Sequence, residues 1–264
     1  MARPVLALLT DFGLADHYVA AMKGVILGVC RDAAIIDISH DIPPQDVLAG
    51  ALELEAVVPC LPAGTVVVGV VDPGVGSERR GIAVQSGSLS FVGPDNGLFS
   101  FALRRTGPGR AVSLVSAGFG PDRVSRTFEG RDRFAPAAAW LARGTAIEAL
   151  GPLVDDLVQL PTLEPAVTGV GLDGQVVRID RFGNLITNIR EPQIAALAGC
   201  VSILVAGRTI DGLSDTYAAA PPGGVCALIG STSCLEISVN GGNAADLLGA
   251  SRGTAVRVRV QSGA

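Results

Sequence analysis

Lysine is almost missing from this chain: of its 20 basic side chains, Lys23 alone is not arginine. The bias is compositional, so a single surface arginine carries little functional weight. Basic charge is also outnumbered. The 25 acidic side chains leave a formal charge of −5, which argues against nucleic acid or an anionic membrane surface as a partner. Histidine is scarce, with only His17 and His40, and the five cysteines (Cys30, Cys60, Cys200, Cys226 and Cys234) form no C-x-x-C pair. A zinc site lacks its usual ligands, so no metal is expected, and the two histidines read as structural or surface residues. Unpaired cysteines fit reduced thiols in a cytoplasmic protein. No apolar run approaches the roughly 18 residues that span a bilayer. The run from Pro4 to Leu9 is too short for a secretory signal and ends in Thr10-Asp11. A soluble, cytoplasmic chain is expected.

Apolar material is plentiful. Hydrophobic residues make up 48% of the 264 positions and charged residues 17%, enough for a large core and too apolar for disorder. Strand and helix signals alternate through the first part. Residues 5–10, 34–38 and 65–71 are short apolar runs of the kind found in buried strands. Helical spacing is seen over 16–30 and 46–58, and further helices are expected near 98–105 and 133–142. A hairpin is expected over 82–85 and 89–92, turning at Ser86-Gly87-Ser88. Beyond 161–165 the signals are mostly short strands: 167–180, 184–189, 201–205, 225–229, 234–239 and 254–260, with brief helices at 192–197 and 243–248. The pattern predicts an α/β N-terminal domain with a largely parallel sheet over residues 1–162, followed by a smaller, mainly β C-terminal domain over 166–264.

In an open α/β sheet, ligands sit beyond the carboxyl ends of the strands. Asp11 follows the first strand and Asp72 the third, each with a glycine-bearing turn behind it, and the matched positions suggest a shared carboxylate cleft. Other patterns are weaker. Gly74-x-Gly76 lacks the third glycine of a dinucleotide turn, Arg79 standing there, and no G-K-[ST] exists. Gly249-Ala250-Ser251-Arg252-Gly253 has the form of a nucleophile elbow, but both histidines precede residue 41, whereas that chemistry needs one downstream. Arg79, Arg80, Glu129, Arg131 and Asp132 are either solvated ion pairs or part of an active-site loop. Asp180-Arg181-Phe182-Gly183-Asn184 offers a carboxylate, an aromatic face and an amide within five residues, groups suited to an amino group and a nucleobase.

Seven segments, in order, carry a resemblance. They are Thr10-Asp11-Phe12-Gly13; Tyr18-Val19-Ala20-Ala21-Met22-Lys23-Gly24; Val71-Asp72-Pro73-Gly74-Val75-Gly76; Gly93-Pro94-Asp95-Asn96-Gly97; Thr127-Phe128-Glu129-Gly130-Arg131-Asp132; Asp180-Arg181-Phe182-Gly183-Asn184 with Thr187-Asn188-Ile189; and Leu235-Glu236-Ile237. From Leu9 to about Gly249 the chain resembles the S-adenosyl-L-methionine (SAM) hydroxide adenosyltransferases, relatives of the fluorinases and chlorinases. The resemblance implies a barrel-like C-terminal domain and a homotrimer with active sites at subunit interfaces. It implies SAM as substrate rather than cofactor, and hydrolysis to adenosine and L-methionine by water attacking the ribose C5′.

By the same resemblance, Asp11 would hold the ribose hydroxyls, Asn184 would read the adenine edge, and Tyr217 would stack on the ring beside the Val239 backbone. Asp180, Asp16 and Ser231 would take the amino and carboxylate end of methionine. Asp72 and Arg79 match two of the family's three water-handling residues, and Glu129 stands where the third is histidine. Asp72 is the preferred base, with Glu129 orienting Arg79; the reverse assignment remains the alternative. The resemblance also separates water users from halide users. The fluorinase has tyrosine at the position of Asp72 and a long insertion at Ser86-Gly87-Ser88, so both features favour water here. The competing readings are a halide adenosyltransferase and a SAM- or adenosine-binding protein without turnover.

Overall fold

The computed structural model describes residues 3–115, 119–120, 125–197 and 199–261. These fall into two units, Met1–Pro161 and Thr162–Ala264. The first is organised on β1 (Val5–Thr10), which has parallel neighbours on both sides: β2 (Ala34–Ser39) and β3 (Val66–Val70). Successive side chains of a strand point to opposite faces, and both faces of β1 are covered. Leu6 and Leu8 join a core with Met22 and Ile26 of α1 (Tyr18–Val29) and with Ala135, Ala138 and Ala139. Ala7 and Leu9 join another with Leu54 of α2 (Val47–Val57) and Ala102 of α3 (Ser100–Thr106). Burial on both faces explains why β1 and β3 read as unbroken apolar runs. Helix α2 starts where Asp46 Oδ1 accepts a hydrogen bond from the Ala49 amide at 2.9 Å, an N-cap.

The sheet is not largely parallel, as the sequence pattern predicts; it is mixed. Beyond β5 (Leu89–Pro94), parallel to β3, come three antiparallel strands: β4 (Gly81–Ser86), β6 (Gly109–Ser113) and the short β7 (Leu153–Val154). The seven-strand order is β2-β1-β3-β5-β4-β6-β7. The cause is the hairpin at Ser86–Leu89. Gly87 takes φ +57°, which lets the chain reverse in a tight turn and return beside β4 without a crossover helix. Once β4 runs backwards, its other edge receives β6 in the same antiparallel sense. Helix α4 (Ala135–Ala142) closes the unit against α1.

The second unit is antiparallel throughout. Its eight strands are β8 (Ala166–Thr168), β9 (Gly171–Ile179), β10 (Leu185–Arg190), β11 (Val201–Val205), β12 (Arg208–Asp211), β13 (Val225–Ile229), β14 (Cys234–Val239) and β15 (Ala255–Val260). They run in the order β12-β11-β15-β9-β10-β14-β13, with β8 added against β9. The Ser214 amide, just after β12, donates to Ala227 O of β13 at 2.7 Å, so the two ends of the path meet in a nearly closed, barrel-like sheet. Leu185, Thr187 and Ile189 of β10 alternate into its interior. Two short helices, α5 (Glu191–Ala195) and α6 (Ala244–Leu248), decorate it.

Gly183 lies between β9 and β10 at φ +84°, where an added Cβ would collide with the Asn243 side chain. Asn243 Oδ1 caps α6 by accepting from the Asp246 amide at 3.0 Å. Gly183→Ala therefore combines a left-handed backbone penalty with loss of a cap and should cost roughly 1–3 kcal/mol. Thermal unfolding checks this, with Asn243→Ala reporting the cap's share alone.

Candidate active site

Parallel pairing of β1 with β3 sets Thr10 opposite Val70. Asp11 and Asp72 consequently leave the sheet together at its carboxyl edge. The Asp72 turn is supported from below by Asn96, whose Nδ2 donates to Val71 O at 2.8 Å while its Oδ1 accepts from the Leu98 amide at 3.1 Å. The turn closes at Gly76, φ +77°, where any Cβ would clash with Arg126 O. This brings Arg79 back over Asp72.

Arg79 and Asp72 form a two-pronged pair. Nε donates to Oδ1 at 2.9 Å, and Nη2 donates to Oδ2. The third nitrogen, Nη1, lies 2.8 Å from Glu129 Oε2. All three side chains are nearly enclosed, with 5%, 10% and 11% exposed for Asp72, Arg79 and Glu129. Phe134 covers the guanidinium, its ring centroid 5.3 Å from Cζ. Burial disfavours the charge of Arg79, but hydrogen bonding to Asp72 and the charges of both acids outweigh it and hold its pKa above the ordinary value. The guanidinium is a fixed cation. Nη1 lies close to Glu129 but at an angle that makes no hydrogen bond, so among the described residues it is a buried donor without one, as is Arg133 Nε. Such a donor costs about 1–3 kcal/mol if left unmet, which makes Nη1 a natural place to hold a ligand oxygen.

Glu129 stands at the start of a π-helical turn, Gly130–Phe134, that leads into α4. Such turns often mark functional sites because they redirect side chains. The Glu129 segment is tied to the Asp11 loop by aromatic contacts: Phe128 meets Phe12 at 6.1 Å and Tyr18 at 5.1 Å between centroids. Arg133 Nη1 also reaches Glu129 Oε2, at 3.3 Å. Other members of the charged run have separate duties. Asp132 pairs with Arg131 and accepts from the Ser125 amide, and the Arg131 bond holds its carboxyl below the usual range. Arg80 is bound to Asp95 and Asp156. These are structural ion pairs, and the group indicated by the sequence divides accordingly.

In the second unit, Asp180 organises the turn it begins. Its Oδ1 accepts from the amides of Phe182 and Asn184, both at 2.9 Å, and its Oδ2 accepts from Asn184 Nδ2 at 2.9 Å. Asn184 is buried, and that bond orients its amide so that Oδ1 is the atom left to accept from a ligand. Tyr217 is half-exposed, with its hydroxyl donating to Glu236 Oε1 at 2.7 Å. Hydrogen bonding to Glu236, then burial, then the negative charges of Glu236 and Asp180 push its pKa up to about 12. Val239 ends β14, and its amide and carbonyl run beside Val225 of β13. Ser231 lies in an exposed turn of this unit, and Asp16 in an exposed segment of the first.

Two participants have no assigned role in the sequence reading. Glu236 is buried within a mostly apolar strand and accepts from both Tyr217 and Ser238 Oγ. A charged residue interrupting a buried run was the available signal. His40 is the other, and its burial against Thr10 distinguishes it from a surface histidine.

The arrangement of an α/β unit with a carboxylate–arginine–carboxylate cluster and a barrel-like unit with an Asp–Asn turn has known counterparts. Residues 6–151 match the SAM hydroxide adenosyltransferase N-terminal domain, and residues 174–257 match the C-terminal domain of the same name. The chain belongs to the SAM hydroxide adenosyltransferase family. A Thermus thermophilus protein named (R)-S-adenosyl-L-methionine hydrolase is 42% identical, covering 97% of this chain and 99% of its own. A Nocardia brasiliensis protein named fluorinase is more distant, at 29% identity over 98% of this chain and 97% of its own. A crystal structure from Thermotoga maritima superposes with a TM-score of 0.89 at 30% identity, covering 96% of this chain and 99% of that one.

Proposed function

We propose that this chain hydrolyses SAM to adenosine and L-methionine by in-line displacement at C5′. The observation that carries the reading is the enclosed Asp72–Arg79–Glu129 cluster beside Asp11. Water has a pKa near 15.7, so a site using it must orient one molecule and accept its proton as the new bond forms. Arg79 Nη1 supplies the orienting donor. Asp72, level with Asp11 at the sheet edge, supplies the acceptor: each oxygen keeps a lone pair outside the arginine fork. Glu129 fixes Arg79 from the far side. As the C5′–O bond forms, the C5′–S bond breaks and its electron pair stays on sulfur, turning the sulfonium into neutral methionine. The water proton passes to Asp72 and then to solvent.

The remaining ligand contacts follow the family assignment. Asp11 takes the ribose hydroxyls, Asn184 and the Val239 backbone the adenine edge, and Tyr217 the ring face. Asp180, Asp16 and Ser231 take the methionine end. We assign the first-unit residues, Asp11 and Asp16, to one chain of a homotrimer and the second-unit residues to its neighbour. The relatives' name specifies the (R) sulfonium epimer, and the proposal extends that preference to this chain. A carboxylate at position 72 supplies a proton acceptor, which water needs and halide does not, and this favours water over halide transfer. Purified protein incubated with each SAM epimer, with and without chloride or fluoride, should give equal amounts of adenosine and methionine, chiefly from the (R) form. A 5′-halo nucleoside would instead establish halide transfer, and tight binding without product a non-catalytic role.

Asp72→Asn should lower turnover roughly 10²–10⁴-fold with little change in SAM affinity, the range for losing a general base. Glu129→Gln should be milder; the opposite ranking in single-turnover measurements would make Glu129 the base. The shared site has its own test. Asp11→Ala and Asn184→Ala chains, each inactive alone, should regain activity when co-assembled, because some interfaces then contain two intact halves. Verified mixed trimers without recovery would place both halves in one chain.

A further inference from the structure

The Asp11 carboxylate does not stand alone at the end of β1; the segment after β2 grips it. Three hydrogen bonds fix the backbone around it. Thr10 Oγ1 meets His40 Nδ1 at 2.8 Å, the Phe12 amide donates to Thr10 Oγ1 at 3.3 Å, and the Gly13 amide donates to His40 O at 2.7 Å. A fourth reaches the carboxylate itself: the Gln45 amide donates to Asp11 Oδ2 at 2.7 Å. Gln45 is held at φ +65°, a left-handed conformation that a residue with a side chain adopts only when its surroundings impose it. Residues 40–45 thus touch the 10–13 loop through a side chain, a carbonyl and a strained amide.

The hydrogen-bond roles fix the form of the imidazole. His40 Nε2 lies 3.0 Å from Asp37 Oδ1, and Lys23 Nζ donates to Asp37 Oδ2 at 2.7 Å. A carboxylate only accepts, so Nε2 donates, and in the neutral imidazole Nδ1 then accepts from the Thr10 hydroxyl. Thr10 is fully buried, and its hydroxyl already accepts from Phe12. This tautomer is the one in which every group of the chain Lys23–Asp37–His40–Thr10 has a partner. Thr10 is too enclosed to act as a nucleophile, so the resemblance to a catalytic triad is one of connectivity alone.

We propose that His40 is a positioning residue for nucleoside recognition: through Thr10 and the Gly13 amide, and together with the Gln45 amide, it sets the Asp11 carboxylate with one oxygen committed to the protein and the other presented to a vicinal diol. The inference rests on the assignment of Asp11 to the ribose. Its test uses binding rather than turnover, so the two can fail separately. Adenosine and 2′,3′-dideoxyadenosine are titrated calorimetrically into the full-length protein and its variants. The wild type should favour adenosine by roughly 10²-fold or more, since a site built to bind hydroxyls rejects analogues lacking them. Thr10→Val, which keeps the shape and removes the hydroxyl, should cut that ratio at least about tenfold. His40→Gln, whose amide reaches the Nε2 position but offers nothing at Nδ1, should behave likewise. His40→Asn places an oxygen where Nδ1 stands and should retain most of the discrimination.

Thermal unfolding of each variant separates loss of fold from loss of selectivity. Discrimination intact in a folded Thr10→Val protein, or lost equally in His40→Asn and His40→Gln, would overturn the proposal. A wild type indifferent to the diol would instead remove Asp11 from the ribose.

Discussion

Two ionised carboxylates buried together need a compensating cation, and the guanidinium of Arg79 is that cation. Its fork to Asp72 and its approach to Glu129 neutralise charges that burial would otherwise make very costly. Removing it would leave uncompensated negative charge in an apolar shell that includes Phe134. The turn geometry at Gly76, the support from Asn96 and the π-helical entry to α4 all serve to deliver these three side chains to one place.

The same balance gives a physical account of Glu129 at a position where the resemblance implies histidine. Arg133 also reaches Glu129 Oε2, so two acids face two arginines. A neutral imidazole at 129 would leave Arg133 without a counter-charge. Two acids and two arginines leave the cluster without net formal charge.

Much of this was legible in the sequence, and the exceptions share a cause. Strands β1 and β3 announced themselves because both their faces are buried, and Asp11 and Asp72 followed as polar residues at their ends. The hairpin at Ser86-Gly87-Ser88 was readable from its turn residues, yet the mixed sheet was not, because strand direction depends on which edge the returning strand meets. The short strands β7 and β12 carry too few residues to show a period, and β6 opens on Gly109-Arg110, which breaks its apolar run. Asp72, Arg79 and Glu129 could be named together only through motif order, since Glu129 lies far along the chain from Asp72. His40 was unreadable as anything but a structural or surface residue. Its significance lies in Thr10 and Asp37, which the parallel pairing of β1 with β2 brings near.

The scarcity of lysine has a practical side. Lys23 is the single side-chain amine of the whole chain, and it is the outer terminus of the hydrogen-bonded series that ends at Thr10. Acylating reagents that spare arginine have one side-chain target here, and it is ion-paired with Asp37 at the surface. An isotopic tag added by reductive methylation keeps the charge of that nitrogen and sits at one end of the series that leads through Asp37 and His40 to the threonine beside Asp11. The chain thus carries one side-chain address for an amine-directed probe, with no residue needing to be introduced or removed.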